Sequence, residues 1–245
     1  MREFSLRREA AIGFGAYAVY LGVRALVVRD GGRARAARNA RRICELEERL
    51  GLHVEPHVQR RLLPRTRVLA VLNVAYVTLN VVLTVGWLTL LYLRRDPEFH
   101  RFRRAAALSL VGACPVFLLF PCDPPRSLDR FVDTVGDVLD LDSGVVVKLY
   151  NPAAAMPSIH LAFAVVTGAA MAETARSPAV RTLARAYPPA VFGTVVATAN
   201  HYVLDGIAGS GLALLALRAS RALEGRRPSA SSTARASAGS TGPGR

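Results

Sequence analysis

From Val68 to Leu93 the chain carries no charged residue. A helix that crosses a bilayer needs ~20 apolar residues, so this run alone points to a membrane span. Further runs read the same way: about Ala10 to Val28, Ala105 to Phe120, Pro157 to about Ala175, about Val180 to Ala199, and Val203 to Leu217. A kink is expected in the fifth, at Pro188-Pro189. Hydrophobic residues make up 51% of the 245 positions, and the charges are clumped between the runs. That pattern excludes a soluble domain. The expected fold class is all-α: a polytopic membrane helix bundle of six transmembrane helices. It fills residues 1–225 as one membrane domain, followed by a disordered basic tail at 226–245, rich in Ser, Ala, Gly, Pro and Arg.

No small-residue cleavage site follows the first run, so it is expected to stay as an anchor. Between the first two runs, Ala34 to Gly51 is charged, Ala-rich and free of proline, which favours a helix. Ile43, Leu46 and Leu50 form a thin apolar stripe on it, read as an interfacial amphipathic helix about 34–51. A solvated helix fits the same residues.

The net charge is +14, and Lys148 is the only lysine. So basic a chain raises the possibility of nucleic acid. The arginines, however, lie between the apolar runs and in the tail, where membrane proteins keep them. Membrane lipids are the expected partners, with no nucleic acid. Cys44, Cys114 and Cys122 have no CxxC or zinc-finger spacing, so free thiols are expected, and nothing in the residues calls for a cofactor.

Six spans place the loops alternately on two sides. The side that holds Asn151 to Met156 also receives Asn200 to Gly209, because the fourth span leaves it and the fifth returns. His160 starts one helix and His201 ends the hairpin back, so they face each other at one membrane depth. Basic residues are more numerous on the opposite side once the long first loop is set aside. This favours a plasma-membrane protein with the histidine side outward.

His201 and Asp205 stand at i, i+4. On a helix the carboxylate then accepts from one ring nitrogen, fixes the tautomer and turns the other nitrogen outward. Nucleophiles and bases are oriented this way. An Asp in an apolar span is by default a functional residue, although such a pair can also merely pin a helix start. His160 follows Met156-Pro157-Ser158. Proline suits the first helical turn, Ser158 can cap it, and a helix N-terminus attracts phosphate. Alone, His160 would be an ordinary interfacial histidine. Arg126, behind the stiff Pro124-Pro125 pair, and Lys148 are the candidate cations for a phosphate. Asn151, Ser158 and Asn200 complete the expected substrate contacts. Asp123, Asp129, Asp133, Asp137, Asp140 and Asp142 make the same loop acidic without a compact cation-ligand pattern.

PSIH at 157–160, followed by His201-x-x-x-Asp205 and Ala208-Gly209, resembles the type 2 phosphatidic acid phosphatase superfamily. The wording NPAAAMPSIH and NHYVLDGIAG is similar to its branch that includes inositol phosphorylceramide synthase. The resemblance covers roughly Ala105 to Leu217. It implies a lipid phosphatase or phosphotransferase acting through a phosphohistidine on a phospholipid-like or polyprenyl phosphoester. By that resemblance His201 is the nucleophile, Asp205 orients it, His160 protonates the leaving oxygen, and no metal is needed. Two phosphate-holding arginines of the phosphatase pattern are missing, since Ala155 and Val195 stand at their positions. That departure favours the phosphotransferase branch. Two other classes fit the residues: a membrane electron-transfer protein with haem between His160 and His201, and a non-catalytic membrane lipid binder.

Overall fold

The computed structural model describes residues 4–29, 31–136 and 153–225. Among them it contains helices and no strands. In chain order these are α1 (Leu6–Arg29), α2 (Gly32–Leu50), α3 (Glu55–Leu62), α4 (Thr66–Val74), α5 (Asn80–Leu93), α6 (Phe99–Leu119), α7 (Ile159–Thr174), α8 (Pro178–Ala197) and α9 (Val203–Gly225). A π-helical turn, Ala75–Leu79, joins α4 to α5, and a short 3₁₀ turn covers Pro125–Ser127.

Among the described residues three helices are long and apolar enough to cross a membrane: Leu6–Val27, Phe99–Leu119 and Val203–Glu224. Asn80–Leu93 and Ile159–Thr174 are apolar but shorter. The protein is a membrane protein on this evidence. The six-span count goes beyond it, because the second run is divided by the π turn and α8 begins with a polar, arginine-bearing half. Large apolar side chains such as Phe14, Val71, Val82, Leu183 and Leu215 stand exposed around the bundle. In water such a surface would be costly, whereas in lipid it is the expected outer face.

The interior uses small residues. Ala105 and Ala106 of α6, Ala162, Ala164 and Ala170 of α7, and Ala213 and Ala216 of α9 are buried together with Phe102 and Val166. Small residues let helix backbones approach closely where apolar burial gives little net drive between helices. One such close approach lies at Gly209. A Cβ there would fall 2.1 Å from the Ser158 carbonyl oxygen, so α9 packs directly against the start of α7.

Polar groups in the second run latch it to its neighbours. Asn73 donates to Thr134 O (2.6 Å), Asn80 donates to His160 O (3.0 Å), and Trp87 Nε1 donates to Thr174 Oγ1 (3.0 Å). Thr84 and Thr167 share a hydrogen bond of 2.9 Å. Away from water these bonds fix register, since an unpaired polar group in an apolar core is costly. At the far end of α7, Glu173 joins Arg101 and Arg221, and Glu9 pairs with Arg103. The 16 residues of α7 therefore run between two polar layers, with the histidines at one end and this ion-pair cluster at the other.

The segment expected as an interfacial helix forms α2, but it turns a different face inward. Ala36, Asn39, Ala40, Ile43, Cys44 and Glu47 are buried, whereas Leu46 and Leu50 remain exposed. Backbone proximity explains the choice. Asp123 N donates to Ala36 O, and Asn39 donates to Pro121 O at 2.9 Å, so alanine-sized contacts dock α2 on the loop after α6. The tail, 226–245, lies outside the described residues.

Candidate active site

The site begins with the loop after α6. Cys122 N donates to Ala153 O at 3.0 Å, and Ala155 N donates to Cys122 O at 2.9 Å. This two-bond ladder holds residues 153–155 in an extended course that delivers the Ala155 carbonyl to the site. Ser158 then caps α7: Leu161 N donates to Ser158 Oγ at 3.3 Å, as expected for a serine at that position. Ser158 N donates to Asp205 O at 3.0 Å, so the starts of α7 and α9 are hydrogen-bonded to each other.

His201 sits just before α9 and is 3% exposed, whereas Asp205 is fully buried. His201 Nδ1 lies 2.9 Å from Ala155 O and 3.4 Å from Asp205 Oδ2. Both neighbours only accept, so Nδ1 carries the hydrogen and donates to them. The other ring nitrogen, Nε2, therefore holds the lone pair in the neutral ring. It lies 3.3 Å from His160 Nδ1. Asp205 Oδ2 also accepts from Tyr202 N at 3.0 Å, which fixes the carboxylate against the turn it serves.

His160 is positioned from three directions. Its backbone belongs to the first turn of α7, its carbonyl accepts from Asn80, and its ring lies against Tyr76 with centroids 4.3 Å apart. Asn80 is in turn held by Tyr187, whose hydroxyl donates to Asn80 Oδ1 at 3.0 Å. Tyr76 lies within the π turn, a helix irregularity often found beside functional sites.

His160 and His201 share the wall of a cavity of about 210 Å³. Its other walls include Tyr17, Tyr20, Tyr76, Phe117 and Phe163, so one end is polar and the rest aromatic and apolar. A second hollow opens from His160 toward α8, between Leu79 and Val191. A headgroup at the imidazoles with a hydrocarbon chain beside it matches this division of polarity.

Asn200 and Arg126 adjoin the site. Arg126 is buried, and its Nε donates to Asn200 Oδ1 at 2.9 Å while Nη1 pairs with Asp133 Oδ2 at 2.7 Å. Arg126 N also donates to Ala199 O, so the arginine is built into the turn that carries His201. Lys148 and Asn151 lie outside the described residues. The structure thus brings His160, His201, Asp205, Ser158, Asn200 and Arg126 together around one turn. The two imidazoles meet in direct hydrogen-bond range, which leaves no gap for a macrocycle between them, and the haem reading finds no support in this geometry.

Tyr76, Asn80, Glu47 and Glu55 were not legible as site residues. Asn80 had a signal, a polar amide in an apolar span. The two glutamates had none, since acidic residues in charged helices ordinarily face water. Here both are fully buried: Glu55 Oε1 accepts from Val203 N at 2.8 Å and Glu47 Oε1 from Leu204 N at 2.7 Å. They satisfy the first free amides of α9, directly after His201. Burial pushes the Glu47 carboxyl up to about 9 despite the Leu204 amide, and Glu55 adds to the rise. Burial likewise pushes Asp123 up to about 6, against the pull of Arg33 and Arg126.

Fold and site together define a helical membrane protein with a histidine pair, backed by a buried carboxylate, at the polar end of an apolar cavity. The chain belongs to the PAP2 superfamily, whose family model matches residues 41–219 and so takes in His160, His201 and Asp205. Members are phosphatases and phosphotransferases, and this membership supports an enzyme with a phosphatase-type function. No curated protein and no solved structure matches the chain.

Proposed function

We propose that the protein is an integral-membrane lipid phosphatase or phosphotransferase that works through a phosphohistidine on His201. The observation that carries this reading is the commitment of His201 Nδ1 to Ala155 O and Asp205, which leaves Nε2 free beside His160 at the cavity wall. A substrate phosphate enters by replacing the His160–His201 hydrogen bond. The Nε2 lone pair attacks phosphorus, the bond to the leaving alcohol oxygen breaks, and protonated His160 gives that oxygen its proton. Asp205 and the Ala155 carbonyl stabilise the positive charge that grows on the His201 ring. In the second half, His160 takes the proton of an incoming hydroxyl, which attacks phosphorus as the P–N bond breaks.

The acceptor determines the overall reaction. Water gives a phosphatase, and a polyol or lipid hydroxyl gives a transferase. The absence of arginine at positions 155 and 195 favours a transferase resembling inositol phosphorylceramide synthase, because fewer cations hold the free phosphate of a hydrolytic product. The aromatic cavity suits a phospholipid-like or polyprenyl donor. With the histidines outward at the plasma membrane, the enzyme would draw its donor from the outer leaflet.

Purified protein in vesicles with phosphorus-labelled lipid phosphate, with and without inositol, tests the proposal. Free phosphate marks a hydrolase, and a labelled inositol product marks the transferase. An acid-labile, base-stable label on the wild-type chain that is missing from His201→Ala supports the intermediate. Unchanged turnover in His201→Ala refutes the mechanism.

A further inference from the structure

Outside the catalytic pocket, α2 and α3 bring Cys44, Glu47, Glu48, His53 and Glu55 into one cluster. The candidate ligand atoms of Glu47, His53 and Glu55 all lie within 4.8 Å of one another, and those of Cys44, Glu48 and His53 do likewise. His53 belongs to both sets. Its Nδ1 lies 3.5 Å from Glu55 Oε2, and both ring nitrogens lie 3.8 Å from Cys44 Sγ.

The two halves of the cluster are not equivalent. Arg130 pairs with Glu48 and donates to Cys44 Sγ at 3.4 Å, so the outer half already has its cation. The inner half does not. Glu47 and Glu55 are both fully buried, and each spends one oxygen on an α9 amide. The remaining oxygen of Glu47 accepts no hydrogen bond, and that of Glu55 has His53 as its neighbour. Two adjacent buried carboxyl groups facing a histidine need a positive charge between them, either a shared proton or a metal ion.

The geometry points to a zinc site formed by the three ligands Glu47, His53 and Glu55. The donor set decides the metal. A histidine nitrogen beside carboxylate oxygens suits Zn²⁺, whereas Mg²⁺ and Ca²⁺ take oxygen ligands. In tetrahedral zinc the ligand atoms stand roughly 3.3–3.7 Å apart, from metal–ligand lengths of ~2.0–2.3 Å. The His53–Glu55 contact at 3.5 Å already lies in that range. Cys44 also lines a polar hollow with Ser127, Asp129 and Arg130, which offers an entry path from water. The site is structural. Through the second oxygens of Glu47 and Glu55 it would hold the α9 amides next to His201, which makes both glutamates positioning residues.

Full-length protein with its affinity tag removed would be stripped with a chelator and titrated with Zn²⁺ alone, then with Co²⁺. The expected result is one tight zinc per chain, a raised melting temperature, and a visible cobalt spectrum of low-coordinate nitrogen and oxygen ligation. Cys44→Ser should leave zinc affinity unchanged, and Glu47→Gln or His53→Ala should weaken Zn²⁺ roughly 100-fold. A wild-type chain that binds no zinc overturns the inference. So does a Glu47→Gln variant of equal or greater stability in a metal-free protein, because a proton shared between the two carboxyls then replaces the metal. If Glu47→Gln does not fold, the wild-type titration and the cobalt spectrum decide alone. These readouts do not involve turnover, so they stand apart from the test of the phosphohistidine.

Discussion

Gly209→Ala is the sharpest test of how the site is assembled. A methyl at that position would lie 2.1 Å from Ser158 O, 3.0 Å from Ser158 C and 3.2 Å from Ser158 N. All three are backbone atoms, so no side chain can swing aside. Contacts of a Cβ stay at 3.0 Å or more, which requires α9 and the start of α7 to part by at least about 0.9 Å, the difference between the two distances. Opened by that much, the 3.0 Å bond from Ser158 N to Asp205 O leaves hydrogen-bond range. The 3.3 Å contact between His201 and His160 widens with it, because each ring rides on one of the two separating elements. The lost bond costs ~1 kcal/mol and the overpacking ~1–3, so a loss of about 2–4 kcal/mol is expected. A displacement of about 1 Å between catalytic groups costs roughly 10²-fold in turnover. The assay pairs thermal melting in detergent with turnover of labelled lipid phosphate. Gly211→Ala, on the same helix with nothing within 4 Å of its added methyl, is the matched control and should match wild type in turnover. A Gly209→Ala protein with wild-type melting and turnover would refute the reasoning that backbone contact at this glycine sets the histidine geometry.

Further expectations follow from other contacts. His160→Ala should lose roughly 10²–10⁴-fold with an alkyl phosphoester yet lose far less with an aryl phosphoester, whose leaving oxygen needs no proton; equal losses would remove His160 as the acid. Asn80→Leu deletes the bond to His160 O and leaves the Tyr187 hydroxyl without its acceptor, so a stability loss of about 1–3 kcal/mol is expected in melting, and an unchanged melting temperature would contradict it. Asp123 has a folded pKa raised to about 6 from 3.8, so the folded chain binds the extra proton and stability falls as pH rises between those values. Asp123→Asn should therefore stabilise at pH 7 by about 1 kcal/mol, after discounting for partial solvent contact, and show no gain near pH 3. Melting curves at both pH values check the sign.

The sequence made the cluster of His160, His201 and Asp205 legible because its geometry is local. His201 and Asp205 need only one helical turn to meet, and Ser158 caps the helix that carries His160. The supporting contacts were hidden for the opposite reason. Glu47 and Glu55 reach amides more than a hundred residues away, and nothing in a charged helix marks which acidic residue is buried. The stripe of Ile43, Leu46 and Leu50 marked α2 as a helix but not its docking face, because hydrophobic periodicity weights leucine and the docking surface is built largely from alanine, asparagine and glutamate. Arg126 is a candidate phosphate ligand by sequence, and its guanidinium is tied to Asn200 and Asp133, partners that no local pattern announces. The long apolar run from Val68 was legible as helix. Its interruption by the π turn was not, since no proline or glycine signals it.

The pinning of α9 by α2 and α3 has a consequence for biosynthesis. The residues joined, Glu55 with Val203 and Glu47 with Leu204, are 148 and 157 positions apart. The early segments therefore stay without these partners until α9 has left the ribosome. No shorter nascent chain holds both imidazoles in register, so the pocket they share is completed only late in synthesis.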